Sequence, residues 1–244
     1  WRLPSLGTSY QYGRPVIELY LERLPATLLL GGVAMGLAAL LGISGGLWQA
    51  VRPSWLLDRL SLLLLALPGY VIGLLLLLGF AIWGYRWTGL PLGGYVRAYD
   101  PISECYHWQW EALVLPALAL ALRPAAYLFQ LTKAQAEQLI RADFVRAARA
   151  RGKPMRAILL TDILRNLLPP LATSISQWLA GVFTGALFIE ELFDWPGVGK
   201  LLFSAILSSD FPLLMGIAQL STVIFVILHA TGEVLSRWSD PRLR

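Results

Sequence analysis

Five apolar stretches, near Leu24–Val51, Leu60–Trp83, Ala112–Leu131, Leu171–Ile189 and Pro212–Leu235, dominate this chain of 244 residues. Each is long enough to cross a hydrocarbon core of ~30 Å, which takes about 20 residues. In lipid the backbone polar groups have no water to bond, so segments of this kind fold as helices. Only 14% of the residues are charged and 57% are hydrophobic, whereas soluble domains average about 25% and 45–50%. The expectation is an all-α integral membrane protein with about five transmembrane helices in this chain. Gly31, Gly32, Gly36, Gly42, Gly45, Gly46, Gly181 and Gly185 fall inside the spans, where small residues let helix backbones approach. Pro68 and Pro116 are expected to kink their helices. Trp48, Trp55, Trp83, Tyr85, Trp87, Trp178 and Trp238 lie at the ends of apolar runs, the place of interfacial rings.

Charge distribution orients the bundle. The segments 52–59 and 132–170 and the C-terminal tail hold thirteen Lys and Arg; the opposite side holds six (Arg2, Arg14, Arg23, Arg86, Arg97, Lys200), and Arg123 lies inside a span. By the excess of positive charge on cytoplasmic loops, the N-terminus is outside and the tail inside. Nine acids on the outer side make that face net acidic. Nucleic-acid binding, which needs a continuous basic face, is excluded. The divisions expected are an extracytoplasmic segment 1–23, a transmembrane domain 24–235 containing a cytoplasmic loop 132–170, and a tail 236–244.

The loop is the most basic part of the chain, with Lys133, Arg141, Arg146, Arg149, Arg151, Lys153, Arg156 and Arg165. Glu137, Leu139, Ile140, Phe144, Val145, Ala147 and Ala148 form a rough helical stripe. Gly152 followed by Lys153-Pro154 breaks that helix. A second short helix is expected from about Met155 to Leu168, ending at Pro169-Pro170. Ala147 and Ala148 before the turn leave room for another protein's surface. Two readings of this loop stay open on pattern alone: a docking surface, or an amphipathic segment resting on lipid headgroups.

The run Arg146-Ala147-Ala148, three residues, then Gly152 resembles the E-A-A-x-x-x-G loop of ABC importer permeases. The longer F-V-R-A-A-R-A-R-G with L-R-N-x-L-P-P is similar to the dipeptide, oligopeptide and nickel permease subgroup. Leu6-Gly7-Thr8-Ser9-Tyr10 and Glu22-Arg23-Leu24-Pro25-Ala26-Thr27 precede the first span, Glu191 to Gly199 (ELFDWPGVG) follows the fourth, and Asp240-Pro241-Arg242 closes the tail, all in that subgroup's order. The resemblance implies a type I ABC importer permease fold in the bacterial inner membrane, with a family core of six spans of which the first precedes Leu6. It implies a pathway for peptides, with nickel or another small solute as the alternative. The implied partners are a second homologous permease subunit, cytoplasmic ABC ATPases, an extracytoplasmic solute-binding protein and membrane lipid. The implied coupling residues are Phe144, Val145, Arg146, Ala147, Ala148 and Gly152. Arg146 stands where the general motif has Glu, as in the peptide subgroup, and Glu233 where the family usually has Asp. A membrane scaffold that transports nothing is the competing class.

Other features are weighed against simpler readings. Trp195-Pro196-Gly197-Val198-Gly199-Lys200 superficially suggests a phosphate-binding loop, but Asp194 stands at the first Gly position and Leu201 follows the Lys. Trp195, Pro196, Gly197 and Gly199 are read as an outer-gate turn, against a plain connecting loop. Arg123, with Pro124, is costly inside a span, by roughly 2.5–3.5 kcal/mol on insertion scales. It either lines the pathway or snorkels and pairs within the bundle. Cys105 and His107 are too few ligands for a transition-metal site. No cofactor, metal site or catalytic constellation is expected, and ATP hydrolysis is left to partner subunits.

Overall fold

The computed structural model describes residues 6–91, 93–94, 97–100 and 105–239. Its helices in chain order are α1 (Val16–Val51), α2 (Trp55–Ala66), α3 (Gly69–Leu76), continued by a π-helical segment Leu77–Trp83, and α4 (Tyr85–Thr88). After a two-stranded antiparallel hairpin, β1 (Arg97–Asp100) and β2 (Cys105–Trp108), come α5 (Glu111–Ile140) and α6 (Asp143–Ala150). The rest is α7 (Met155–Ala157) with a π segment Ile158–Ile163, α8 (Leu164–Leu192), α9 (Val198–Leu207) and α10 (Phe211–Ser239). Helix dominates, as the apolar runs require. The tail motif Asp240-Pro241-Arg242 lies outside the described residues.

Helices α1, α5 and α10 are long and apolar enough to cross a membrane, and α2 with α3 would make a fourth if counted as one broken span. Helix α8, 29 residues long, covers the expected fourth span.

Two expectations change. The segment 60–83 is not one kinked helix: α2 stops at Ala66 and α3 starts at Gly69. Leu67 is extended there, with ψ 137°, because Cδ of the next proline pushes the preceding residue out of the helical region. Pro116 lies inside α5, a single helix from Glu111 to Ile140. Helix α1 begins at Val16, so Glu22 to Thr27 are helical and do not precede the helix.

The chain divides into two compact units. The first comprises Trp1–Ala34, Pro68–Leu120 and Leu179–Leu228; the second Met35–Leu67, Ala121–Trp178 and His229–Arg244. The first unit is centred on Val16, Leu19, Tyr20, Val198, Leu201, Ala205, Leu213 and Ile217. The second is centred on Leu47, Leu128, Ala136, Val145, Ala148, Ile158, Ile163, Leu167 and Leu171. Within it α1 and α5 meet at glycines. A Cβ on Gly42 would stand 2.6 Å from the Ala125 carbonyl oxygen, and one on Gly46 would stand 2.7 Å from that of Phe129. Backbone meets backbone at this crossing, as expected for small residues four apart.

Candidate functional site

In the second unit, α6 shows how Asp143–Gly152 folds. Val145 and Ala148, three apart, are buried in the core, while Phe144, Arg146, Ala147, Arg149 and Ala150 are exposed. The helix closes in a Schellman turn. The Gly152 amide donates to the Arg149 carbonyl at 2.8 Å and the Lys153 amide to the Ala148 carbonyl at 3.1 Å. Gly152 has φ +79°, the left-handed conformation in which Gly carries no Cβ penalty.

The expected coupling residues therefore separate. Phe144, Arg146, Ala147 and Gly152 face outward; Val145 and Ala148 are the internal seat of the helix. Ala148 does not leave room for a partner, since its methyl is already packed against this chain. The open part of α6 is basic and poor in apolar groups, with Phe144 its large exposed hydrophobic residue.

The helix expected to end at Pro169-Pro170 does not. Both prolines lie inside α8. They remove amides that would bond the carbonyls of Arg165 and Asn166, two exposed residues near the helix start. Solvent reaches those carbonyls, which reduces the usual proline penalty.

In the first unit, the segment Trp195–Gly199 is a built structure. Helix α8 closes in a second Schellman turn, with Asp194 at φ 53° in the left-handed position and the Trp195 amide bonded to the Glu190 carbonyl at 2.7 Å. Trp195 is fully buried and its indole Nε1 donates to the Ala26 carbonyl at 2.9 Å. Helix α9 then starts against a buried carboxylate. Glu190 Oε2 accepts the amides of Gly199 at 2.7 Å and Lys200 at 3.2 Å, and Oε1 accepts the Thr27 hydroxyl at 2.7 Å. The same hydroxyl accepts the Val198 amide at 2.8 Å. The three leading amides of α9, which no intrahelical carbonyl can reach, are all satisfied. Pro196 is partly buried, and with Glu22, Arg23 and Ala26 it lines a shallow pocket.

The N-terminal segment is fixed in the same way. Helix α9 ends in a third Schellman turn, with Ser209 at φ 54°. Asp210 then caps α10. Its Oδ1 accepts the Leu213 amide at 3.2 Å, and its Oδ2 accepts the Ser9 hydroxyl at 2.6 Å and the Gln11 amide at 3.0 Å. Burial works to raise the Asp210 carboxyl, but hydrogen bonds from Ser9, Gln11, Leu213 and Tyr10 outweigh it and hold the group below its usual range.

No local sequence pattern singles out Glu190, Thr27, Asp210 or Ser9. Thr27 and Ser9 stand inside the E-R-L-P-A-T and L-G-T-S-Y motifs, and Glu190 and Asp210 are two of the nine outer acids. Arg123 is exposed on α5, with no ion pair among the described residues. Cys105 and His107 belong to the backbone of β2, and no cluster of metal-ligating side chains occurs among the described residues.

Residues 35–244 match the family described as "Binding-protein-dependent transport system inner membrane component". The chain is 30% identical over 245 residues to the dipeptide transport system permease protein DppB of Lactococcus lactis, covering 98% of this chain and 76% of that protein. It is 31% identical over 247 residues to the oligopeptide transport system permease protein AppB of Bacillus subtilis, with the same coverage. Among solved structures, the inward-facing MetNI methionine ABC transporter matches with a TM-score of 0.70 at 13% identity, over 92% of this chain and 97% of that one. That likeness establishes a type I ABC importer permease fold. The chain belongs to the binding-protein-dependent transport system inner membrane component family and is the permease component of an ABC importer.

Proposed function

We propose that this permease forms part of a transmembrane pathway for peptides delivered by an extracytoplasmic binding protein. It pairs with a second permease, and the exposed face of α6 docks in a groove of a cytoplasmic ATPase. The observation that carries this reading is the division of α6. Its apolar residues Val145 and Ala148 are spent on the chain's own core, so a lipid-resting helix would have little apolar face left to insert. What remains outward is Phe144, Ala147, Ala150 and the guanidinium groups of Arg146 and Arg149, a surface suited to a partly acidic protein groove. The relatives' names support peptides as the transported class. The excess of basic residues on the α6 side supports a cytoplasmic position for that face and an N-terminus on the outer side.

The test is reconstitution of this permease with its partner permease, ATPases and binding protein in vesicles. Uptake of a labelled dipeptide and of an oligopeptide is measured beside uptake of nickel. ATP-dependent peptide uptake supports the assignment; nickel uptake without peptide uptake overturns it. A Phe144→Cys variant that cross-links to no ATPase subunit would remove the docking assignment.

A further inference from the structure

Lys153 follows the left-handed Gly152, and its side chain reaches forward to the segment beyond the turn. Its Nζ donates to Asp162 Oδ2 at 2.6 Å and to Thr161 Oγ1 at 2.7 Å. Thr161 Oγ1 in turn donates to the Ala157 carbonyl at 2.8 Å. Both acceptors of Lys153 sit in the π segment Ile158–Ile163. The two charged side chains are 34% and 31% exposed, so solvent screens the pair only in part. The Lys153 ammonium holds the Asp162 carboxyl below its ordinary range.

The turn is thus tied at three places. The Schellman bonds close α6. Val145 and Ala148 share a core with Ile158 and Ile163. The Lys153–Asp162 pair then clamps the far side of the turn to the π segment. Helix α8 continues from that segment without a gap, since Ile163 is followed by Leu164. Single-turn π segments inside helices are frequent at functional sites.

We propose that Lys153 and Asp162 are positioning residues for energy coupling: their ion pair stiffens the turn after α6, so a displacement of α6 is passed to Ile158–Ile163 and α8 rather than absorbed at Gly152-Lys153-Pro154. This rests on the docking of α6 proposed above. A pair this exposed contributes little to overall stability, so substitutions in it are expected to fold.

The experiment uses the reconstituted complex and reads substrate transported per ATP hydrolysed. Lys153→Met and Asp162→Asn are each expected to lower that ratio roughly threefold to fivefold, the range of a partly screened pair. Lys153→Arg is expected to keep it, and the exchanged double variant Lys153→Asp with Asp162→Lys to recover most of it. An unchanged ratio in both single variants overturns the proposal. So does equal loss in the singles and the exchanged double variant, which would mark a purely structural role. Cross-linking from Phe144→Cys separates the two readings. No cross-link in an otherwise unaltered complex defeats the docking, whereas a cross-link with an unchanged ratio defeats only the positioning pair.

Discussion

The Thr27 hydroxyl donates to Glu190 Oε1 at 2.7 Å and accepts the Val198 amide at 2.8 Å, so one side chain of α1 joins the end of α8 to the start of α9. Both Thr27 and Glu190 are buried. A buried polar group that loses its partner costs about 1–3 kcal/mol. Thr27→Val keeps the shape and removes both bonds. It is expected to destabilise the detergent-solubilised protein by about that amount, measured by thermal unfolding. Glu190→Ala strips two amides and the Thr27 hydroxyl at once and is expected to cost more. Equal melting temperatures for wild type and Thr27→Val would show that this cap is unimportant.

Gly197 and Gly199 serve the same cap by leaving space. A Cβ on Gly197 would stand 2.3 Å from the Glu190 carboxyl atoms, and one on Gly199 would stand 2.5 Å from the Leu187 Cα. Neither has a positive φ, so packing alone excludes a side chain. Gly199→Ala meets immovable backbone and is expected to cost about 1–3 kcal/mol, typical of overpacking. Gly197→Ala meets a carboxylate and is expected to displace Glu190. The readout is faster hydrogen exchange at the amides of Gly199 and Lys200.

Much of this was legible beforehand, for definite reasons. Apolar length fixes where helices lie, and Gly152 before Lys153-Pro154 fixes where α6 stops, because both effects act over a few neighbouring residues. The roles of Glu190 and Asp210 were not legible. Each acid bonds residues more than 160 positions away, Thr27 and Ser9 respectively, and no local pattern encodes such a pairing. The buried side of α6 was misread for a related reason. Ala147 and Ala148 are chemically alike, and which one packs inward is decided by contact with Ile158, Ile163 and Leu167, which lie farther along the chain. Helix α9 is not legible because its ten residues are too few to form a span.

The three Schellman turns predict substitutions of opposite sign. Gly152 at φ +79° has nothing within 4 Å of a built Cβ, so Gly152→Ala is penalised by conformation alone. A left-handed L-residue costs roughly 1–2 kcal/mol, and Asn, which tolerates that region, is expected to cost less than Ala. Ser209 is already left-handed at φ 54°. Ser209→Gly is therefore expected to stabilise the protein by up to about 1 kcal/mol. Thermal unfolding of the three variants checks the order; a destabilised Ser209→Gly would contradict it.

The crossing of α1 and α5 gives a paired contrast. Gly42 and Gly46 are pressed against the α5 backbone, whereas Gly32 and Gly36 on α1 meet nothing within 4 Å. Gly46→Val forces the helices apart and is expected to cost about 1–3 kcal/mol. Gly36→Ala is expected to be tolerated or slightly stabilising in this chain, since Ala is the better helix former by about 1 kcal/mol. Comparing the unfolding of both purified variants separates close packing from general helix propensity.

Asp210 predicts the pH response of the N-terminal segment. Its folded carboxyl titrates below the unfolded value of about 3.9. A depressed carboxylate binds fewer protons in the folded state, so its stabilising effect is complete above the unfolded value. The effect is lost as pH falls through the folded value. At neutral pH, Asp210→Asn lacks the ionised acceptor shared by Ser9, Gln11 and Leu213 and is expected to melt earlier than wild type. The gap should hold steady from pH 7 to pH 5 and narrow as pH falls below about 4. A gap that stays constant through the acid range would mean that the Asp210 charge does not hold Ser9 and Gln11 against the start of α10.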